Sequence, residues 1–285
     1  MPPRQSFIHQ SVPDMPDLNP VTLITGASAG IGVALARQFA RHGHALVLVA
    51  RREPQLAALA DEIAEQGGAR PVIVPIDLTR VDAPVRIAHE LASRGLEPEI
   101  VVNNAGFGLR GLAADIDRAE QLAMIDLNIR ALTDLSLRFV DSVARLRGGI
   151  LNVGSVAGFV PGPGMAVYYA TKAYVLSFSE ALHRELAPLG VRVSALCPGP
   201  VPTEFQARAG LRARRMSSIF RMTAEDVAKA GYDGLMRGQR VILPGVANKF
   251  VPFLPRLLPR SVVLAITDIT RTIRARDEGR RWPAP

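Results

Sequence analysis

From residue 21 onward, short apolar runs alternate with longer amphipathic segments, and this alternation constrains the fold more tightly than any other feature. Residues 21–24, 45–49, 71–76, 100–102, 150–153 and 191–196 are short and rich in Val, Ile or Leu at consecutive positions, as strands covered on both faces require. Between them, residues 31–41, 55–65, 85–93, 119–145 and 167–187 are long and periodic enough for helices. Residues 241–243 are the candidate seventh strand. A strand, a helix and a further strand at this spacing require parallel pairing, because each helix carries the chain back across one sheet face. The expected fold class is therefore α/β: a three-layer, doubly wound arrangement with a mostly parallel seven-stranded sheet and helices on both faces. Residues 1–19 read as a flexible leader and residues 20–245 as one domain. Residues 246–285 form a proline-broken helical extension and charged tail of that same domain.

Composition excludes several functional classes. The formal charge is +8, yet the arginines are scattered, with pairs only at Arg51-Arg52, Arg214-Arg215 and Arg280-Arg281. With aromatics at 5% there is no interleaved stacking surface, so nucleic acid is not the expected partner. The single cysteine, Cys197, rules out an intrachain disulfide and a Cys-rich zinc site. His9, His42, His44, His89 and His183 never fall in an H-x-x-x-H arrangement, and no metal is expected. Prolines and aspartates interrupt the first twenty residues, leaving no signal-peptide core. The apolar stretch 241–266 is broken by Pro244, Lys249, Pro252, Pro255, Arg256, Pro259 and Arg260, so no transmembrane segment is expected. A cytoplasmic location is the corresponding expectation.

The turn after the first strand reads Thr25-Gly26-Ala27-Ser28-Ala29-Gly30-Ile31-Gly32. Glycines there permit a tight turn and close backbone approach to a pyrophosphate, whose charge is favoured at a helix N-terminus. The spacing is G-x-x-x-G-x-G; by itself it is also compatible with a plain turn. The second strand ends in Ala50-Arg51-Arg52, with no carboxylate for a ribose 2′-hydroxyl. Arg51 and Arg52 suit a 2′-phosphate instead, which makes NADP(H) the expected cofactor. Two solvated arginines opening the next helix are the plainer alternative.

Farther along come Asn103-Asn104-Ala105-Gly106, Asn128 within a helix, Ser155 after the fifth strand, Tyr168-Tyr169-Ala170-Thr171-Lys172 and Cys197-Pro198-Gly199. Taken in order and with this spacing, the set from about residue 21 to 203 resembles the short-chain dehydrogenase/reductase family, whose members have a Rossmann fold. The resemblance implies a catalytic set of Asn128, Ser155, Tyr168 and Lys172. Tyr168 and Lys172 are four apart and share a helix face, and a nearby ammonium lowers a phenol pKa. Tyr168 is then expected to exchange a proton with the substrate oxygen while Ser155 hydrogen-bonds it. Asn128 would hold a water linking Lys172 to solvent. Tyr169 competes with Tyr168, but only Tyr168 stands four before Lys172.

The cofactor residues implied by the resemblance are Gly26, Ser28, Ala29, Gly30, Ile31, Gly32, Arg51, Arg52, Asp77, Leu78, Asn104, Ala105 and Gly106. Tyr168 and Lys172 join them, followed by Pro198, Gly199, Val201 and Thr203. Cys197 is expected only to pack. Substrate choice is expected in residues 107–112, 159–165 and a lid at 203–218 that mixes Phe205, Leu211 and Met216 with Arg208, Arg212, Arg214 and Arg215, with Ile219 and Phe220 just beyond. The expected function is an NADP-dependent oxidoreductase acting on a small-molecule carbonyl or alcohol, as a ketone or aldehyde reductase on a fairly apolar substrate. A non-catalytic NADP-sensing protein and an alcohol dehydrogenase working toward oxidation are the alternatives. The family implies a homodimer or homotetramer through the helices bearing Asn128 and Tyr168. For the C-terminal piece, packing within the protein or its oligomer is favoured over peripheral membrane contact.

Overall fold

The computed structural model describes residues 18–205 and 222–268. Seven parallel strands form one sheet in the order β3-β2-β1-β4-β5-β6-β7. They are β1 (Asn19–Thr25), β2 (Leu46–Ala50), β3 (Val72–Pro75), β4 (Leu96–Asn103), β5 (Gly149–Val153), β6 (Arg192–Leu196) and β7 (Val241–Ile242). The order reverses between β1 and β4. At such a switch point the loops beyond the strand C-termini diverge and leave a crevice. The expected α/β class, seven strands and doubly wound topology are all present.

Alternate residues of each strand feed opposite layers, as a two-residue side-chain period dictates. Ile24, Leu48, Leu151 and Leu196 pack with Leu35, Phe39, Leu56 and Leu235 on one face. Leu23, Val47, Val101 and Val193 pack with Ile87, Leu135, Val143 and Leu182 on the other. The first layer holds α1 (Gly30–Arg41), α2 (Glu53–Glu65) and Ala224–Met236; the second holds α3 (Ala83–Ser93), the helices after β4, and Ala166–Leu186. Each fully buried Leu, Ile or Phe contributes roughly 1.5–3 kcal/mol.

Two elements differ from the sequence expectation. The helix expected over 119–145 is divided into α4 (Arg118–Ile125), a π-helical turn (Asp126–Ala131), α5 (Leu132–Arg138) and α6 (Val140–Arg145). The wide turn carries Asn128 inward, and a hydrophobic period of about four residues does not distinguish it from continuous α-helix. After α7 (Ala166–Leu186), a helix not expected at all, α8 (Ala224–Met236), packs along α1. Its N-cap Thr223 accepts the Asp226 N–H at 3.0 Å. Gly231 and Gly234 weaken the helical signal, yet they seat α8 against the sheet. A Cβ at 231 would lie 2.8 Å from Leu196 Cδ2, and one at 234 would lie 2.4 Å from Ile242 Cδ1.

Beyond β7 come a 3-10 segment (Ala247–Phe253), α9 (Leu254–Leu257) and α10 (Arg260–Thr267). Among the described residues, no helix is long and apolar enough to cross a membrane, and no cluster of His, Cys, Asp or Glu is arranged to hold a metal.

Candidate active site

A cavity of about 1820 Å³ opens over the C-terminal ends of the strands, at the β1/β4 reversal. Its floor begins with the glycine turn. Gly26 and Gly30 adopt φ of +67° and +56°, where a side chain would be strained. Gly32 lies behind the wall rather than on it, and a Cβ there would come within 2.2 Å of Gly26 O. Ala29, the N-cap of α1, offers no side-chain cap, so the first-turn N–H groups of α1 remain available to an anion. Ser28, Ala29, Gly30 and Ile31 all face the cavity.

The turn is tied to the next strand by a residue absent from the expected site. Thr25 Oγ1 donates to Val102 O at 3.2 Å and accepts the N–H groups of Asn104 and Ala105, each at 3.0 Å. Asn104 Nδ2 donates back to Thr25 O at 2.9 Å and Gly26 O at 3.3 Å. Thus Asn104, Ala105 and Gly106 line the cavity, while the Asn104 amide works mainly as a clamp on the turn. A threonine hydroxyl at the end of a buried strand was the sequence signal available for this role.

At the rim beyond β2, Arg52 donates through Nη2 to Ser28 O at 3.0 Å and through Nε to Ser28 Oγ at 3.3 Å. It also pairs with Glu204 at 3.0 Å. Arg51 is looser, half-exposed and 3.8 Å from Asp77 Oδ2. Asp77 Oδ1 accepts from the Thr79 N–H and hydroxyl. Asp77 and Leu78 are on the wall, as are Pro198, Gly199, Val201 and Thr203.

Ser155, Tyr168 and Lys172 share one wall. Ser155 caps the 3-10 turn Val156–Phe159, its Oγ accepting the Ala157 N–H at 3.1 Å. Tyr168 lies in the first turn of α7, with Lys172 one turn later. Lys172 Nζ donates to Val153 O at 2.8 Å and lies 5.9 Å from the Tyr168 ring centroid. Burial pushes the Tyr168 phenol up to about 12, opposed by hydrogen bonding from Ser155. Burial likewise pulls Lys172 down to about 8. Desolvation of the phenolate thus dominates at Tyr168 and raises it, where the sequence reading expected a neighbouring ammonium to lower it.

The Asn128 side chain ties two elements of the site together. Its Oδ1 accepts the Phe107 N–H at 3.1 Å, and its Nδ2 donates to Phe107 O at 2.9 Å and Thr171 Oγ1 at 3.1 Å. Thr171 Oγ1 in turn donates to Tyr168 O at 2.7 Å. The carboxamide thereby fastens the loop after β4 to the turn of α7 that carries Tyr168. Phe107 and Thr171 were not expected partners, because only the fold brings them to Asn128. Cys197 is buried against Gly154, and burial raises its thiol to about 12, as a packing residue requires.

The remaining cavity wall is mainly apolar: Phe107, Leu127, Val160, Met165, Tyr169 and Phe205. Arg110, Glu120 and Val251 also face it. Glycine makes room beside the phenol, since a Cβ at Gly108 would lie 3.0 Å from both Tyr168 and Phe205. Of the expected lid, Thr203, Glu204 and Phe205 are on the wall. Arg208, Leu211, Arg212, Arg214, Arg215, Met216, Ile219 and Phe220 lie outside the described residues.

Comparison with known proteins gives a consistent result. A family model described as short chain dehydrogenase matches residues 20–213. Sulfoacetaldehyde reductase 2 of Chromohalobacter salexigens is 36% identical over 220 residues, covering 74% of this chain and 86% of that protein. A short-chain dehydrogenase from Sphingobium yanoikuyae, solved in complex with NADPH, superposes with a TM-score of 0.72 at 32% identity. That match covers 93% of this chain and 98% of the other. The bulky-bulky ketone specific alcohol dehydrogenase of Comamonas testosteroni gives a TM-score of 0.69 at 28% identity, covering 94% and 97%.

Proposed function

The chain belongs to the short-chain dehydrogenase family of oxidoreductases, and from that premise we propose that it is an NADP(H)-dependent reductase of ketones or aldehydes with an apolar body. The observation that carries this reading is the buried phenol of Tyr168, which shares a cavity wall with Ser155 and faces the space served by the α1 N-terminus.

The residues fit a dinucleotide. The glycine turn shapes a cradle that tolerates no side chain, since a Cβ at Gly26 would lie 2.8 Å from Ala105 Cα and one at Gly30 would lie 3.0 Å from Thr203 Cγ2, and the uncapped first turn of α1 suits a pyrophosphate. Arg51 and Arg52 flank the end of β2, where Ala50 supplies no carboxylate. Their guanidinium groups suit a 2′-phosphate rather than a bare hydroxyl. Val201 and Thr203 also line the cavity, and they would hold the carboxamide. When bound, the nicotinamide supplies the hydride.

The protein's own groups do the rest. Ser155 donates a hydrogen bond to the substrate carbonyl oxygen and steadies the charge that develops there. Tyr168 delivers the proton to the same oxygen. A phenol held at about 12 is protonated at neutral pH, which is the form that reduction needs. Lys172, anchored on Val153 O, would hold the ribose hydroxyls of the cofactor. Asn128 holds the loop and α7 in register. Phe107, Met165, Tyr169 and Phe205 exclude water from the reacting centre.

In the relatives, the names sulfoacetaldehyde reductase and bulky-bulky ketone specific alcohol dehydrogenase support carbonyl reduction, and the apolar wall supports a lipophilic substrate. The test is NADPH consumption, read optically, against aldehydes, ketones, β-keto esters and ketosteroids. We expect turnover with the apolar members, and loss of turnover in Tyr168→Phe with NADPH binding retained. Undiminished turnover in that variant would refute the assignment. The oligomer proposed is a homodimer or homotetramer through α4, α5 and α7, which expose Leu122, Ile125, Leu137 and Tyr174; light scattering measures it.

A further inference from the structure

The segment after β7 does not bury its apolar residues. Val246, Phe250, Phe253, Leu257, Leu258, Val262, Leu264 and Ile266 are eight of the fifteen large apolar side chains exposed among the described residues. Phe250 is 65% and Leu257 is 77% exposed. Scattered exposed apolar residues need no explanation, but a contiguous set marks an interaction surface. Cations are interleaved with it: Lys249, Arg256 and Arg260 are all exposed. From Pro244 to Thr267 the sequence contains no Asp or Glu. Aromatic and aliphatic side chains mixed with bases and free of acids complement a surface that is apolar below and anionic above. A second copy of this chain presents the same cations at this segment, so a self-paired contact would bring like charges together.

The segment is also joined to the cavity. Val251, between the exposed Phe250 and Phe253, lies on the cavity wall. Asn248 is buried, donates to Pro244 O at 2.7 Å and packs on Gly199, where a Cβ would lie 2.5 Å from its Oδ1. Phe250 and Phe253 thus sit on the same short 3-10 segment that braces the Pro198-Gly199 side of the cavity.

We propose that the apolar, cationic segment 246–266 docks the protein on an anionic lipid surface, with the cavity mouth beside the membrane. The segment rests in the interface through Phe250, Phe253, Leu257 and Leu258 without crossing the bilayer. A lipophilic carbonyl compound dissolved in the lipid would then enter past Val251 without crossing bulk water. Docking itself does not depend on which carbonyl is reduced, or on whether the site is catalytic.

Flotation of the full-length protein with vesicles tests this. Vesicles of phosphatidylcholine alone are compared with equimolar phosphatidylcholine and phosphatidylglycerol, at low and high salt. We expect recovery with the anionic vesicles, weakened by salt, and little with the neutral ones. Phe250→Glu with Phe253→Glu should abolish flotation while NADPH binding and turnover of a short, water-soluble aldehyde persist. Lys249→Gln and Arg256→Gln should each weaken partitioning roughly fivefold. Failure of the parent protein to float with anionic vesicles would overturn the proposal. So would full flotation by the double variant, which would assign binding to the overall +8 charge. A change of molar mass in the double variant, without lipid binding by the parent, would assign the segment to contact between copies and also overturn it.

Discussion

Thr25→Val removes one oxygen and keeps the shape, and the structure gives the change a definite cost. Thr25 is buried, and its hydroxyl makes three hydrogen bonds: one donated to Val102 O and two accepted from the Asn104 and Ala105 N–H groups. In the variant the Ala105 N–H loses its acceptor, while the Asn104 N–H keeps Val102 O at 3.1 Å. The orphaned donor costs about 1–3 kcal/mol, and the lost bonds to Val102 O and from Asn104 about 1 kcal/mol more between them. Roughly 1 kcal/mol is regained by burying a methyl group in place of the hydroxyl. The net loss is about 1–3 kcal/mol. For a domain of this size each kcal/mol moves the melting temperature by about 2–4 °C, so a fall of roughly 2–12 °C is expected. Thermal melts followed by circular dichroism measure it, with Thr25→Ser as the control. Serine keeps the hydroxyl and loses only a methyl, for about 1 kcal/mol. The clamp also shapes the cradle, so NADPH affinity should fall more in Thr25→Val than in Thr25→Ser. A valine variant as stable as the parent, with NADPH affinity unchanged, would refute the assignment of this hydroxyl as the tie between the glycine turn and β4.

Gly32→Ala should abolish NADPH binding measured by fluorescence, because its Cβ would meet Gly26 O at 2.2 Å and displace the turn; retained affinity would contradict that. Replacing Arg51 and Arg52 together by Ala should weaken NADPH by about 10–100-fold, as expected for charge-assisted hydrogen bonds worth about 1.5–3 kcal/mol, and leave NADH nearly unchanged. Equal losses for both cofactors would refute the 2′-phosphate reading. Lys172→Met should eliminate turnover and raise stability at neutral pH, with a pH dependence of definite sign. Lys172 is held at about 8, below the ordinary lysine value of 10.5, so between those values the unfolded chain binds the extra proton. The parent therefore gains stability from this group as pH rises through that window, and loses it as pH falls. The stability advantage of the Met variant should shrink from pH 8 to pH 10. Melting temperatures across that range check it, and a constant or widening gap would refute it.

Much of this protein is legible in its residues. Consecutive Val, Ile and Leu in β1, β2 and β5 identify strands covered on both faces, and the helical segments between them leave a parallel, doubly wound sheet as the result. Local spacing also placed Gly26 and Gly30 on the turn and Tyr168 and Lys172 on one helix face, all on the wall of one cavity. Helix α8 escaped because its value lies in Gly231 and Gly234, which look like helix breakers until Leu196 and Ile242 are seen against them.

What sequence alone determined was periodic or local: strand and helix identity, the glycine turn, and the four-residue step from phenol to amine. What only the tertiary structure decided depends on residues remote in the chain. Asn128 turned out to fasten the Phe107 backbone to Thr171, because a π turn aims its amide there. The phenol of Tyr168 is raised rather than lowered, because the packed surroundings that strip water from it are assembled by the fold. Spacing records which groups can be neighbours. Burial and hydrogen-bond partners, which set their charge and function, exist only once the layers close over them.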